Sequence, residues 1–298
     1  MRRIVFASMV LLPLGVRGQA SAIPGRDLLA FPIALTAEAP ALGFQAGIGL
    51  WNPATALLGD SARWRISAAS MSAPADISLS AQVAAVAGKW RHTTFGLSVA
   101  YAQVGNLLRT DTDPQSVGSE IPYSTLVISA LAARRITPHL IGAIAIRSRN
   151  GRMDNVSRTG ISVDVGVVAE QLTPLDLRVG LSTFLLHAGS TDQERTSFLA
   201  AVDLKVIGAD SLHTVRTGYS LQETQSLSTE QYVFASARWN MWEIRGGPVQ
   251  TDIYGNSNRR VRFGIAVHYE GYAIGVAREE SANGLAPTYQ FSLRTVLR

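Results

Sequence analysis

The chain has no cysteine, which excludes disulfides, thiolate nucleophiles and cysteine-ligated metals and does not conflict with an oxidising compartment. Lysine is almost missing as well: Lys89 and Lys205 are the only two, so arginine supplies nearly all the positive charge. Charged residues make up 16% of the chain, against roughly 25% in an ordinary soluble domain, while hydrophobic residues reach 47%. Despite that, no stretch after the first residues approaches the roughly 18 uninterrupted apolar residues that a membrane helix needs. A chain with too little charge for water and too many interruptions for helical insertion fits a membrane β-barrel, where only every second residue faces lipid. The pI near 9.8 does not indicate nucleic acid, because the arginines are scattered singly through the chain and form no patch.

The first residues read as a secretory signal. Arg2 and Arg3 form a positive start, Ile4 to Leu14 an apolar stretch too short to span a bilayer, and Ala20-Ser21-Ala22 a small-residue cleavage site. Residues 1–22 are therefore expected to be removed, and the protein to reside in the outer membrane of a Gram-negative cell.

What the rest of the chain contains is alternation. Apolar and small or polar residues exchange with a period of two, the signature of a strand with two unlike faces. Phe95, Leu97, Val99 and Tyr101 are separated by Gly96, Ser98 and Ala100. Leu175, Leu177, Val179, Leu181 and Leu185 oppose Asp176, Arg178, Gly180 and Ser182, and Val261, Phe263, Ile265 and Val267 oppose Arg262, Gly264, Ala266 and His268. About fourteen such segments are separable: 62–71, 78–90, 92–105, 122–134, 137–148, 156–170, 174–187, 195–207, 211–223, 229–239, 241–251, 258–269, 271–279 and 287–297. Thr173-Pro174, Gly208-Ala209-Asp210, Gly255-Asn256-Ser257-Asn258 and Asn283-Gly284 supply turn chemistry between them. A soluble sandwich would place Thr, Lys and Glu on its second face, whereas here that face is mostly Gly, Ala and Ser. Aromatics gather at segment ends (Trp64, Trp90, Tyr101, Tyr123, Trp239, Trp242, Tyr269, Tyr272 and Tyr289), as in an interfacial girdle. The predicted fold is all-β: a transmembrane antiparallel up-and-down barrel over residues 62–298, closed because a free strand edge in lipid leaves backbone groups unpaired.

Residues 23–61 do not alternate. Trp51-Asn52-Pro53-Ala54-Thr55-Ala56-Leu57-Leu58-Gly59 carries helix punctuation, with Asn52 to cap, Pro53 at the first position and Gly59 to stop. A lone apolar helix needs a place to be buried, and the barrel lumen provides one. An Asn-Pro-Ala motif at residues 52–54, followed by a short apolar helix just ahead of a tandem barrel, resembles the FadL outer-membrane transport family and the related PorV/PorQ-type barrels of secretion systems. Asn52, Pro53 and Ala54 match the motif; the glycine that usually follows is Thr55 here, and the acidic approach is replaced by Phe44-Gln45-Ala46-Gly47-Ile48-Gly49. The resemblance implies that residues 23–61 form a hatch in the lumen. Asn52 is then either a gating residue or simply a helix cap.

By strand parity, Arg63, Arg65, Arg147, Asp164, Asp176, Arg178, Asp203, Lys205, Arg216, Glu243, Arg245, Arg262, His268 and Arg294 face the lumen. The inference is energetic, since an arginine or lysine in lipid at mid-depth costs about 2–4 kcal/mol. These charges either tie the wall to the hatch by salt bridges or form a polar gating surface. His92, His139, His187, His213 and His268 lack metal-ligand spacing, and Gly160-Ile161-Ser162-Val163-Asp164 is not a nucleophile elbow, so no catalytic, metal or cofactor site is expected.

The resemblance implies passive transport of small hydrophobic compounds past the hatch, or a structural role docking secretion-system proteins; a barrel enzyme is least favoured. The chain is short for a FadL transporter and lacks long apolar loops, which tilts the expected architecture toward the PorV side. Expected partners are outer-membrane lipids and lipopolysaccharide, whose phosphates suit loop arginines.

Overall fold

The computed structural model describes residues 22–29, 37–44, 47–58, 63–73, 78–109, 118–187, 194–208, 212–253, 255–280 and 287–297. The expected signal segment before Ala22 and the Asn283-Gly284 turn lie outside these residues.

Fourteen strands follow one another: β1 (Trp64–Ser72), β2 (Leu79–Trp90), β3 (Thr93–Val104), β4 (Tyr123–Thr137), β5 (Leu140–Met153), β6 (Val156–Ala169), β7 (Arg178–Phe184), β8 (Ser197–Ile207), β9 (His213–Thr224), β10 (Ser228–Trp239), β11 (Trp242–Ile253), β12 (Asn256–Tyr269), β13 (Tyr272–Glu279) and β14 (Thr288–Leu297). Each pairs antiparallel with its sequence neighbours, and β1 pairs with β14 from Trp64 opposite Leu297 to Ser72 opposite Tyr289. The sheet is therefore a closed barrel, the arrangement that leaves no edge for lipid to solvate.

Alternation sorts the faces as the sequence pattern requires. On β3, Phe95, Leu97, Val99 and Tyr101 are exposed on the outside while Ser98, Ala100 and Ala102 are buried inside; on β13, Ile274 and Val276 face out and Ala273 and Ala277 face in. In a soluble protein such an outer surface of Leu, Ile, Val and Phe would be an aggregation hazard, whereas in a bilayer it is the solvated face. No described helix is long and apolar enough to cross a membrane.

The two ends differ. Two-residue turns join β2 to β3, β4 to β5, β10 to β11 and β12 to β13 at the end where β1 begins, and the longest connection at that end is 170–177. The two longest connections between strands, 105–122 and 185–196, lie at the other. Trp64, Trp90, Trp239, Trp242, Tyr269 and Tyr272 are all exposed at the short-turn end, a belt of amphipathic rings on β1, β2 and β10–β13. Tyr123 does not belong to any girdle. It shares the inward parity of Thr125 and Val127, and its hydroxyl donates to Asp27 of the N-terminal segment.

Several boundaries move for identifiable reasons. The segment 174–187 contracts to β7, because Asp176 N–H closes a turn on Thr173 O at 2.9 Å and Leu185 takes a left-handed φ of 60°. That φ reverses the parity, so Leu185 is buried inside and does not share the outer face of Leu181. Strand β5 instead outruns the predicted 148 and reaches Met153. Its tip, Ser148-Arg149-Asn150, has polar residues on both faces, which conceals a strand from an apolar-periodicity reading. Likewise β12 begins at Asn256, inside a predicted turn, with Gly255 alone taking positive φ.

Candidate functional site: a lumen with one apolar and one charged wall

The inner face is divided. From β2 to β6 it is built largely of Val83, Ala85, Ala87, Ala100, Ala102, Val127, Leu131, Ala133, Ile141, Ala143, Ala145 and Val168, all buried. The N-terminal segment packs on this wall. Residues Pro53–Leu57 form a 3-10 helix against β3–β6, and Trp51, Ala54 and Ala56 are buried. At five residues it is longer than the usual 3-10 run.

Asn52 has two jobs in this geometry. Its Oδ1 accepts from Ala54 N–H at 3.0 Å, the cap expected from the sequence. Its Nδ2 donates to Ala41 O at 2.7 Å and to Val167 O on β6 at 3.3 Å, so the same side chain joins two parts of the segment and fastens them to the wall. Pro53 opens the helix, and Ala54 sits in it fully buried. The wall makes room with glycines: a Cβ on Gly166 would lie 2.1 Å from Asn52 Oδ1, and one on Gly180 2.3 Å from Ala41 O. Further ties are Ser182 Oγ donating to Trp51 O at 2.9 Å, and Arg65 Nη1 donating to Leu58 O at 2.7 Å.

The charged side chains fall into three groups. Near the longer loops, Arg147 on β5 pairs with Asp164 on β6, donates to Ser129 Oγ at 2.8 Å and lies 4.8 Å from the Phe184 ring centroid. Beside it Arg149 pairs with Glu194 at 2.6 Å and donates to the carbonyls of Ile23 and Pro24, holding the start of the described chain to the wall. On the opposite wall Arg262 bonds Glu279 and Glu230, and Arg260 bonds the same two carboxylates at 2.7 and 2.8 Å, a closed four-charge network over Tyr232.

The third group lies at the short-turn end, around a cavity of about 380 Å³. Asp176, Arg178, Asp203, Lys205, Arg216, Glu243, Arg245, His268 and Arg294 all line it, with Glu38, Leu42 and Phe44 of the N-terminal segment. Arg178 and Arg216 share Asp203, Arg216 also takes Asp176 at 2.7 Å, and His268 Nε2 meets Glu243 at 2.8 Å. Arg245 pairs with Glu243 at 2.8 Å and with Glu38 at 3.4 Å, and thus links wall to segment.

Of the residues assigned inward by parity, Arg63 departs: it precedes β1 at the rim and is exposed, whereas Arg65 is buried. Parity alone would have found Arg149, Glu230, Arg260 and Glu279, which lie on the same faces as their partners. Arg26, Glu38 and Glu194 lie outside the strands and give no such signal. Among the described residues no cluster of His, Asp and Glu is arranged to hold a metal.

This geometry defines a class: a closed fourteen-strand outer-membrane-type barrel with its own N-terminal chain packed in the lumen. No protein-family model matches the chain, and no curated protein matches it in sequence. In fold it is similar to two solved toluene transporters. The Ralstonia pickettii transporter TbuX superposes with a TM-score of 0.55 at 13% identity, covering 89% of this chain and 99% of its own. The Pseudomonas putida transporter TodX gives 0.55 at 10% identity, covering 93% of this chain and 98% of its own. The fold is thus that of a FadL-like barrel, in agreement with the Asn-Pro-Ala resemblance.

Proposed function

We propose that the protein is an outer-membrane channel for small hydrophobic compounds, closed at rest by its N-terminal segment. One observation carries this reading: the wall of β2–β6 against which the segment packs is mostly apolar, its charges Arg147, Arg149 and Asp164 held in ion pairs toward the longer loops, where a porin-type aqueous lumen is polar. Displacing residues 47–58 along that wall would uncover a path that favours apolar solutes over ions and sugars. The segment is fastened by discrete polar ties, Asn52 to Val167, Trp51 to Ser182 and Glu38 to Arg245, which can break and re-form without unfolding the barrel. The toluene transporters of similar fold agree with this class of solute. The distribution of short turns and long loops supports a periplasmic position for the short-turn end.

Because the chain has no native cysteine, a Glu38→Cys/Arg245→Cys pair, at positions whose native side chains meet at 3.4 Å, can be joined by a bis-methanethiosulfonate crosslinker that ties segment to wall through reducible disulfides. Cells expressing this variant are scored for uptake of a hydrophobic fluorescent probe, crosslinked and then reduced. The expected result is uptake at the level of cells lacking the protein when crosslinked, restored by reductant. Uptake that ignores the redox state, or that never exceeds cells lacking the protein, would refute the channel and point to a docking role.

A further inference from the structure

The cavity at the short-turn end is more than a set of neutralised pairs. On the inner faces of β8 and β9, Lys205 stands directly opposite Arg216 in the register. Like charges directly opposite each other across a sheet repel. Arg216 is compensated by Asp176 and Asp203, but Asp203 is also held by Arg178, so three cations share two carboxylates. Among the described residues Lys205 has no carboxylate within ion-pair distance. The inner wall thus keeps one positive charge facing a cavity.

Part of the lining of that cavity is apolar. Leu42 and Phe44 of the N-terminal segment and Phe234 of β10 contribute it among the charged residues, and the Arg294 guanidinium lies 5.5 Å from the Phe44 ring centroid. A compensating anion here would therefore meet a hydrophobic surface with its remainder. The volume of about 380 Å³ falls in the range of small-molecule sites and is too small for a long chain. A simple dianion would leave the apolar side bare, and a neutral apolar solute would leave Lys205 uncompensated.

We infer that this cavity is a binding site for small carboxylates with a compact apolar body, the carboxylate lying between Lys205 and Arg216 and the body against Phe44 and Phe234. The site is distinct from the apolar wall of β2–β6, and its binding does not require that anything pass through the barrel.

The test is isothermal titration of the full chain in detergent micelles with benzoate, and with acetate, benzylamine and inorganic phosphate for comparison. Benzoate should bind saturably at one site and more tightly than the other three. Lys205→Gln should weaken benzoate by roughly tenfold or more, the loss of one charge-assisted bond, while Lys205→Arg retains it. Phe44→Ala should remove the preference for benzoate over acetate, a readout that stands even if Lys205→Gln fails to fold. The inference is overturned if benzoate gives no saturable binding, if phosphate or benzylamine binds as tightly, if folded Lys205→Gln is unchanged, or if Phe44→Ala keeps the preference. Because nothing in the assay depends on transport, these outcomes are separable from failure of the channel reading.

Discussion

Arg147 and Asp164 reach toward each other from neighbouring strands β5 and β6, and neither side chain has any exposed surface. Both charges are out of water, and the pair persists because each compensates the other and is further held: Arg147 Nη1 by Ser129 Oγ and its guanidinium by the Phe184 ring, the carboxylate by the Leu186 N–H. Arg147 Nη2 has no hydrogen-bond partner among the described residues. Replacing Arg147 with Met should leave Asp164 uncompensated and cost on the order of 3–5 kcal/mol. The double variant Arg147→Met/Asp164→Leu should recover most of that loss, short of about 1 kcal/mol for the bond to Leu186. Urea unfolding in lipid vesicles, followed by tryptophan fluorescence, measures both. A double variant as unstable as the single one would mean that the cost is lost packing, with no stranded charge involved.

Arg149 performs a different task from its neighbour two residues away. It donates to the carbonyls of Ile23 and Pro24 and pairs with Glu194, which also meets Arg26 at 3.6 Å. Arg149→Ala should therefore release residues 22–29 while the strands hold, since the barrel ladder does not depend on it. Hydrogen exchange resolves the two: peptides covering 22–29 should lose protection, and those of β4 and β5 should keep theirs. Equal loss in the strands would mark Arg149 as a wall residue only.

Gly166 is a place where the wall yields to the segment. An added Cβ meets Asn52 Oδ1 at 2.1 Å and Pro53 Cδ at 2.7 Å, well inside contact distance. Gly166→Val should push the 47–58 segment off the wall and raise conductance in planar bilayers above the resting level of the native protein. Gly105→Val, at a position where an added Cβ would meet only Ser78 at 3.7 Å and beyond, is the matched substitution expected to leave the conductance unchanged. A silent Gly166→Val would mean that the segment accommodates bulk without moving, and that the lumen is not closed by this contact.

The barrel was legible in the sequence because lipid imposes the strictest alternation available to a strand. Phe95-Gly96-Leu97-Ser98-Val99 cannot be satisfied by a soluble sheet as easily as by a wall between lipid and lumen. Alternation fades where that pressure ends. Past the apolar band, Arg149 and Asn150 of β5 face opposite ways yet are both polar, and the strand disappears from the pattern. It also fails where one backbone angle resets parity, as at Leu185. Inward charges were legible by the same energetic argument, among them the partners Asp164, Asp176, Asp203 and Glu243. Glu38 and Glu194, which meet Arg245 and Arg149 from outside the strands, were not, because no local period encodes them. The Asn52 cap was readable from its neighbours, whereas its bond to Val167, 115 residues away, was not.

The lipid-facing assignment itself makes the most general prediction. Leu97 on β3 and Ile144 on β5 point outward in the middle of their strands, while Trp239 points outward at the aromatic belt. Lysine at Leu97 or Ile144 should destabilise the folded barrel by about 2–4 kcal/mol, because its ammonium cannot reach water without dragging the strand or thinning the bilayer. Lysine at Trp239 should cost only about 0–1 kcal/mol for the charge itself, since the rim is already wet. The difference between the two depths is the diagnostic, and it should vanish when the same variants are unfolded from short-chain detergent, where water lies close to every outward position. Equal penalties at Leu97 and Trp239 in bilayers would mean that the apolar face is not graded by depth, and the barrel would then need a protein surface, not lipid, around it.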